Sequence, residues 1–316
     1  MGGSIILFQT DRAAILLAAY NGERFIGQQL DSILAQSCPD WELFIHDDGS
    51  RDATPAILAK YAAACPDKIH LIEAPSTGSA KGNFLFLMQQ VDAPYYLFCD
   101  QDDVWNKDKL ENSLSALNAL EAERGTAVPL LVFSDSAVAD SELHVISESF
   151  LSYQGLDPRM LRFSELMVQN VVSGNASVIN RSLCQYALRY TDADAIIMHD
   201  WWCALVAAYF GSIGFISEST LLYRQHGGNT LGAKKYFDPK YMLSLRKPFD
   251  MIRERIAAVR RQAGEFAKAF ALGADSLPAR FASAGELSKC QRIRFYRKNS
   301  LRKPGMYRTL GFYFFG

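Results

Sequence analysis

Tyr95-Tyr96-Leu97-Phe98-Cys99-Asp100-Gln101-Asp102-Asp103 is the stretch on which the reading of this chain turns. An apolar run gives way at once to three carboxylates within four positions. The apolar half has the length and composition of a buried strand. The acids then fall at that strand's carboxyl end, the edge where α/β sheets hold their ligands. Carboxylates this close repel one another unless something positive joins them. A divalent cation bridging a diphosphate answers that need, because hard cations take carboxylate and phosphate oxygens. The plainer alternative is a solvated acidic turn, with Asp103 or Asn106 capping the next helix.

Outward from this strand, the first 135 residues repeat one rhythm of apolar run, turn and amphipathic helix. Residues 13–19 read as a strand ending at Tyr20-Asn21-Gly22-Glu23. Residues 41–45 are a second, ending at His46-Asp47-Asp48-Gly49-Ser50-Arg51-Asp52, after which Thr54 reads as an N-cap and Pro55 as the first helical residue. Residues 69–72 make a third strand, and a glycine-containing loop at 76–82 leads into a helical stretch at 83–91. The quoted strand is the fourth, 107–123 is helical, and 130–133 is a fifth strand. Such alternation predicts an α/β fold with a mostly parallel sheet and right-handed crossovers. Asn21 and Glu23, Asp47 and Asp48, Lys81 and the acidic run then converge on one edge. A core strand has no need of acids at its exit, so this convergence weighs more than any one motif. No G-x-G-x-x-G follows the first strand and no P-loop occurs, so a nucleotide would be held by carboxylates and a metal.

The second half is less regular. Val171-Val172-Ser173-Gly174-Asn175-Ala176-Ser177 is a small-residue loop between apolar flanks. Met198-His199-Asp200-Trp201-Trp202 opens an apolar helix that runs to Phe210. Leu221-Leu222-Tyr223-Arg224-Gln225-His226 reads as a short strand with a polar tip. Gly227-Gly228-Asn229 is a loop, and beyond Lys234 the pattern is helical and basic.

The formal net charge of −1 over 316 residues argues against a general nucleic-acid binder. Six scattered cysteines without a C-x-x-C fit a reduced, cytosolic protein. No stretch reads as a signal peptide or reaches membrane-spanning length, so any membrane contact is expected to be peripheral, at the inner face of the cell membrane. Residues 286–316 carry eight Lys/Arg against one acid, interleaved with aromatics. That mixture suits either an interfacial helix on an anionic leaflet or a solvated basic helix with an aromatic tag.

Taken together, Ala19-Tyr20-Asn21-Gly22-Glu23, Asp47-Asp48-Gly49-Ser50-Arg51-Asp52, Asp100-Gln101-Asp102-Asp103, His199-Asp200-Trp201-Trp202 and Tyr223-Arg224-Gln225-His226 resemble the inverting family 2 glycosyltransferases of GT-A fold. The last two pieces look most like the rhamnosyltransferase-like branch, which builds bacterial surface polysaccharides. The resemblance implies a GT-A domain over 11–232, its donor-binding half about 11–135 and its acceptor and catalytic half about 136–232. A helical C-terminal extension would fill 233–316. It further implies that Tyr20, Glu23, Asp47 and Asp48 meet the nucleotide's base and ribose, with Lys81 near the diphosphate and Asp100 at the ribose. Asp102 would ligate Mg²⁺ or Mn²⁺, with Asp103 and His226 as further contacts, and Asp200 would be the base. The family's usual Glu-Asp is His-Asp here. Gly174, Asn175, Trp201 and Trp202 are acceptor-side candidates. The implied partners are a nucleotide-sugar donor, such as dTDP-rhamnose, and a glycan or lipid-linked glycan acceptor.

Each residue has a plainer reading beside this one. Asp200 could be a helix N-cap, Asp48-Gly49-Ser50 an ordinary turn, and Trp201 and Trp202 core packing. A helix N-terminus lowers the pKa of an acid such as Asp200 while apolar neighbours raise it, and the sequence leaves the winner open. Rival functions are a sugar-nucleotide nucleotidyltransferase and a catalytically silent glycan-binding subunit. The former usually has a glycine-rich basic loop where this chain has Tyr20-Asn21-Gly22-Glu23.

Overall fold

The computed structural model describes residues 8–227 and 248–316. The predicted loop at Gly228-Asn229, the 232/233 boundary and the start of the helical pattern after Lys234 lie outside the described residues.

In chain order the first elements are β1 (Phe8–Gln9), β2 (Ala13–Ala19), α1 (Ile26–Leu34), β3 (Trp41–Asp47), α2 (Thr54–Ala64), β4 (Ile69–Leu71) and α3 (Ala80–Gln90). Then come β5 (Val91–Asp92), β6 (Tyr95–Asp100), β7 (Val104–Trp105), α4 (Lys109–Arg124), β8 (Leu130–Ala139), β9 (Val145–Ser147), α5 (Phe150–Gln154) and α6 (Phe163–Leu166). β10 (Ser177–Asn180), α7 (Arg181–Ala187), α8 (His199–Phe210) and β11 (Ser212–Arg224) follow. The last described helices are α9 (Pro248–Ala269), α10 (Leu277–Ala282), α11 (Lys289–Lys298) and α12 (Met306–Phe315).

The main sheet runs β4-β3-β2-β6-β10-β8-β11-β7. β4, β3, β2 and β6 are parallel, as are β8 and β11, while β10 is antiparallel to both its neighbours. The near-continuous apolar runs of β2, β3 and β6 follow from burial on both faces. Along β2, Ala14 and Leu16 enter one core, whereas Ala13, Ile15, Leu17 and Ala19 enter the other. Helices α1, α2 and α4 close the second of these faces. α3, α7, α8 and the C-terminal helices close the first.

Register explains why the acids gather. Ala19 of β2 pairs with Asp47 of β3, and Ala18 pairs with Asp100 of β6, so three strand ends are level. Being antiparallel, β10 begins where β6 ends, which delivers Gly174 and Asn175 to the same edge. The acidic turn continues into β7, whose Val104 and Trp105 pair with Leu222 and Leu221 of β11. That pairing brings Arg224 and His226 alongside the turn. The antiparallel β10 and the 13-residue length of β11 were not foreseen from sequence, which suggested only a loop and a short terminal strand there.

The C-terminal helices share a core with α3, α7 and α8. Phe266 of α9 is fully buried, 5.6 Å from Trp202 and 5.3 Å from Tyr209 between ring centroids. Gln262 accepts a hydrogen bond from the Ile197 amide (2.8 Å), and Glu265 accepts from the Asp192 amide (3.0 Å), so α9 fixes the segment leading into α8. Arg302 donates to the buried Glu165 of α6 at 2.8 and 3.0 Å. Arg308 donates to the carbonyls of Gln154 and Gly155. Two of the tail's eight cations are therefore spent on docking it. Among the described residues no helix is long and apolar enough to cross a membrane.

Candidate active site

The turn after β2 and the turn after β3 are laced together. The amides of Asn21, Gly22 and Glu23 donate to the side chains of Ser50, Thr54 and Asp52 (2.8, 2.8 and 3.1 Å). In return Asn21 and Glu23 accept from the amides of Arg51 and Ala53, each at 2.8 Å. Thr54 is thus not the N-cap expected from sequence. α2 begins at Thr54 itself, whose hydroxyl serves Gly22 while Glu23 serves the Ala53 amide that precedes it. Glu23, read from sequence as a nucleotide contact, has one carboxylate oxygen spent on this lacing. Asp47 folds back on Ser50, accepting from its amide (3.1 Å) and its hydroxyl.

Gln101 joins this pair of turns to the acidic run. Its side chain accepts from the Tyr20 amide and donates to the Tyr20 carbonyl, both at 2.8 Å. A Cβ at position 22 would lie 2.3 Å from Gln101 Oε1, which is why glycine stands there. Held by its backbone, Tyr20 leaves its ring 54% exposed at the rim. A planar base can stack on such a ring.

Asp48 is buried, and its Oδ1 accepts from Ser76, from the Thr77 amide and hydroxyl, and from the Gly78 amide. It thereby shapes the loop before α3. Lys81 turns away from the edge where sequence reading put it. Its ammonium donates to the carbonyls of Ala193 and Ile196, each at 2.8 Å, tying α3 to the segment before α8.

The three acids of the run have three different surroundings. Asp103 is fully buried, and both its oxygens are used, Oδ1 by the Arg224 amide (3.0 Å) and Oδ2 by the Asn175 amide group. Those bonds take it out of direct ligation and make it the post that holds the turn. Asp103 and Asn106 do not cap α4, whose N-cap is Asp108. Asp102 is half-buried, its Oδ2 2.8 Å from His226 Nε2. Asp100 sits at the end of β6, its pKa pushed up to about 7 by burial and by the charges of Asp102 and Asp200.

Arg224 is the residue whose role sequence reading missed. It is buried, donates Nε–H to the Asp102 carbonyl (2.8 Å), and sends its remaining arms to Ser141 and Gln28. The guanidinium also lies 4.6 Å from the Phe25 ring, against which His226 packs at 4.6 Å. The signal was available: an arginine inside a strand pattern must find several acceptors, and the nearest candidates were these acids. Lys109 is a second buried cation behind the turn, 4.8 Å above Trp105, with its pKa lowered by burial to about 8.

Asp200 enters from the other half. α8 starts at His199 with Met198 as its N-cap, so Asp200 lies in the first turn and is not the cap. Its Oδ1 accepts from the Trp201 amide (2.6 Å) and its Oδ2 from the Gly174 amide (3.1 Å). Burial raises its pKa to about 6 against the opposing effect of those N–H groups. Desolvation thus wins the contest the sequence left open.

His199 is neutral, its pKa lowered to about 3 by burial between Phe84 (4.1 Å) and Phe98 (4.6 Å). A Cβ on Gly174 would lie 2.8 Å from its Nε2, so this glycine too is required by close approach. Trp202 is fully buried and donates to the Ala187 carbonyl, which makes it core and not a wall for the acceptor. Trp201 is half-buried and donates to the Leu166 carbonyl (2.6 Å).

A metal ion would meet a limited protein donor set here. Among the described residues no group of three or more His, Cys, Asp or Glu side chains is arranged around one point. The Asp102 carboxylate and the His226 imidazole do meet at one point. This fits an ion such as Mg²⁺ or Mn²⁺, which takes one or two carboxylates and completes its shell with phosphate and water oxygens.

A mixed, helix-flanked sheet that gathers acids at its strand ends is the architecture of a GT-A transferase, and solved structures agree in fold. S. aureus TarS 1-349 in complex with UDP-GlcNAc superposes with a TM-score of 0.52 at 14% identity, over 91% of this chain and 80% of that one. The mannosyltransferase PcManGT from Pyrobaculum calidifontis, in complex with GDP-Man and Mn²⁺, gives 0.52 at 17%, over 92% and 73%. Residues 14–145 match the family model described as glycosyl transferase family 2. Those residues match as a glycosyl transferase family 2 domain, and the chain is similar to the glycosyltransferases of that family. The dTDP-rhamnosyl transferase RfbG of Shigella flexneri is 29% identical over 240 residues, 71% of this chain and 76% of the relative. Further relatives at 28% identity are matched over only 58% of their length.

Proposed function

We propose that the chain moves a sugar from a nucleoside-diphosphate donor to a glycan or lipid-linked glycan acceptor, with inversion, in bacterial surface polysaccharide synthesis. One observation carries this reading. Two adjacent residues, Gly174 and Asn175, bond respectively to Asp200 and to Asp103, so the candidate base and the acidic turn are held in one frame. The likeness to RfbG supports dTDP-rhamnose as the first donor to test.

The reaction breaks the bond between the anomeric carbon and the diphosphate oxygen and forms one to an acceptor hydroxyl oxygen. The diphosphate leaves with the bonding pair, and the hydroxyl's proton passes to Asp200. A carboxylate with a pKa near 6 is ionised at neutral pH yet basic enough to accept that proton as the new bond forms. Tyr20 stacks on the base, the Asp48 oxygen not used by the loop accepts from it, and Asp100 meets the ribose. Asp102 and His226 would hold Mg²⁺ or Mn²⁺, which supplies Lewis-acid neutralisation of the departing diphosphate.

Thermal-shift titration with Mn²⁺ and dTDP, UDP or GDP, followed by product mass from a donor panel, tests the reading. Stabilisation by one diphosphate and a mass gain of one sugar are the expected results. Binding without turnover on any acceptor would favour a silent glycan-binding subunit, and no response to any diphosphate would remove the proposal altogether. The tail's basic and aromatic residues support an anionic membrane surface as the place where a lipid-linked acceptor is met.

A further inference from the structure

The C-terminal helices enclose an open cleft of about 440 Å³, remote in sequence from the acidic turn. It is lined by Arg253 and Arg260 of α9, by Lys289 and Arg292 of α11, and by Phe314 of α12. Four cations with no carboxylate among them face one space. None of the four forms an ion pair among the described residues. Arg260 gives one N–H to the Tyr296 hydroxyl (2.5 Å), while its Nε and that of Arg292 find no acceptor. Like charges facing one space favour an anion between them. Three phosphate oxygens meet that need well, because guanidinium groups bind them in a fork.

What adjoins the cleft says which phosphate. Tyr307, Leu310 and Phe314 stand at i, i+3 and i+7 of α12, and so share one face. They are 77%, 55% and 59% exposed. The opposite side of the same helix is seated by Phe312, which is buried. Phe314 belongs to both features, lining the cleft and lying 3.4 Å beneath the Lys289 ammonium. An apolar stripe that continues into a basic cleft has the chemistry of a phospholipid, with acyl chains beside a phosphate.

We propose that this cleft seats the phosphate of an anionic phospholipid, with Tyr307, Leu310 and Phe314 entering the acyl boundary. The proposal rests on the membrane-surface reading above and specifies its residues. Cosedimentation of the full chain with vesicles of phosphatidylcholine, with and without phosphatidylglycerol, tests it. Binding is expected with phosphatidylglycerol and is expected to weaken as salt rises. Arg253→Gln with Lys289→Gln changes two exposed side chains without touching the core, and should weaken binding roughly tenfold or more. Tyr307→Ser with Leu310→Ser should do so at any salt concentration.

The charge-matched control is Arg297→Gln with Lys298→Gln, on α11 but outside the cleft. Equal weakening by the control would overturn the cleft and leave only diffuse attraction. Thermal stabilisation by inorganic phosphate, with no vesicle binding, would overturn the lipid in favour of a soluble phosphate. Absence of any vesicle binding or phosphate response would remove both the cleft and the membrane-surface reading. A nucleoside-diphosphate thermal shift retained in the same preparation would leave the transferase reading standing.

Discussion

Asp200 lies under two opposed influences, and their balance sets what can be measured. Burial disfavours its charge, while the Trp201 and Gly174 amides favour it, and the outcome is a pKa raised from 3.8 to about 6. A base must be ionised to act, so the transfer rate should rise with pH through about 6 and level off above it. The effect on folding has the opposite sign. The folded state holds this proton more tightly than the unfolded chain, so stability from this group falls as pH climbs from about 4 to about 6. Asp200→Asn removes the basic oxygen but meets two amide donors with only one acceptor, which costs about 1–3 kcal/mol. Relief of the buried charge offsets that cost. The variant should therefore fold with little change in melting temperature, keep its nucleotide-diphosphate thermal shift, and lose about 10²–10⁴-fold in turnover. Loss of the nucleotide shift alongside turnover would assign Asp200 to structure instead. Asp200 was singled out in the sequence by the resemblance of His199-Asp200-Trp201-Trp202 to a family motif. Lys81 was misplaced because its sequence neighbours say nothing of the carbonyls of Ala193 and Ile196, more than a hundred residues on.

Strands carry most of what was legible in the sequence. Near-continuous apolar runs ending in polar residues could be read at β2, β3 and β6 because such strands are buried on both faces. Their register then followed from a parallel sheet, and with it the meeting of Asp47 and Asp100 at one edge. β10 and β11 were harder. A strand of only four residues carries little periodicity, and β11 is bulged between Ile216 and Leu222, which breaks its alternation. Yet β11 sets the geometry of the acidic turn, since Arg224 at its end binds the Asp102 carbonyl and the Asp103 carboxylate. Arg224→Ala keeps the backbone bond to Asp103 but removes the buried cation beside it. The guanidinium's acceptors, the carbonyls of Asp102 and Ser141 and the Gln28 side chain, lose their donor, which costs about 1–3 kcal/mol for each one left buried and unsatisfied. The variant should unfold at a correspondingly lower denaturant midpoint. Arg224→Lys restores the charge without the fork, so it should recover part of the stability but little donor affinity. Full recovery of both by lysine would mean that Arg224 acts by charge alone and does not shape the turn.

For the whole molecule the question is what the C-terminal helices are for. Read as sequence, residues 286–316 suggested an interfacial helix on an anionic leaflet or a solvated basic helix with an aromatic tag. Packing adds a structural role. Phe295, Tyr296, Leu301 and Phe312 are all buried in the core that also holds Trp202 and Leu205 of α8. Arg302 reaches Glu165 of α6, next to the Leu166 carbonyl that holds Trp201, the residue after Asp200. Burying a large apolar side chain contributes about 1.5–3 kcal/mol, so these four together contribute up to about 6–12 kcal/mol. A domain's whole stability is about 5–15 kcal/mol. Deleting 286–316 should therefore leave a chain that is largely unfolded or aggregated, judged by loss of the near-ultraviolet circular dichroism signal and of nucleotide-diphosphate thermal shifts. A truncated chain that melted cooperatively within a few degrees of the full one would show that these helices contribute little to the core. Point changes on the exposed face of α12 avoid the problem, because Tyr307, Leu310 and Phe314 can be altered while Phe312 stays seated. Folding and the proposed membrane docking can in that way be tested separately within the same ten-residue helix.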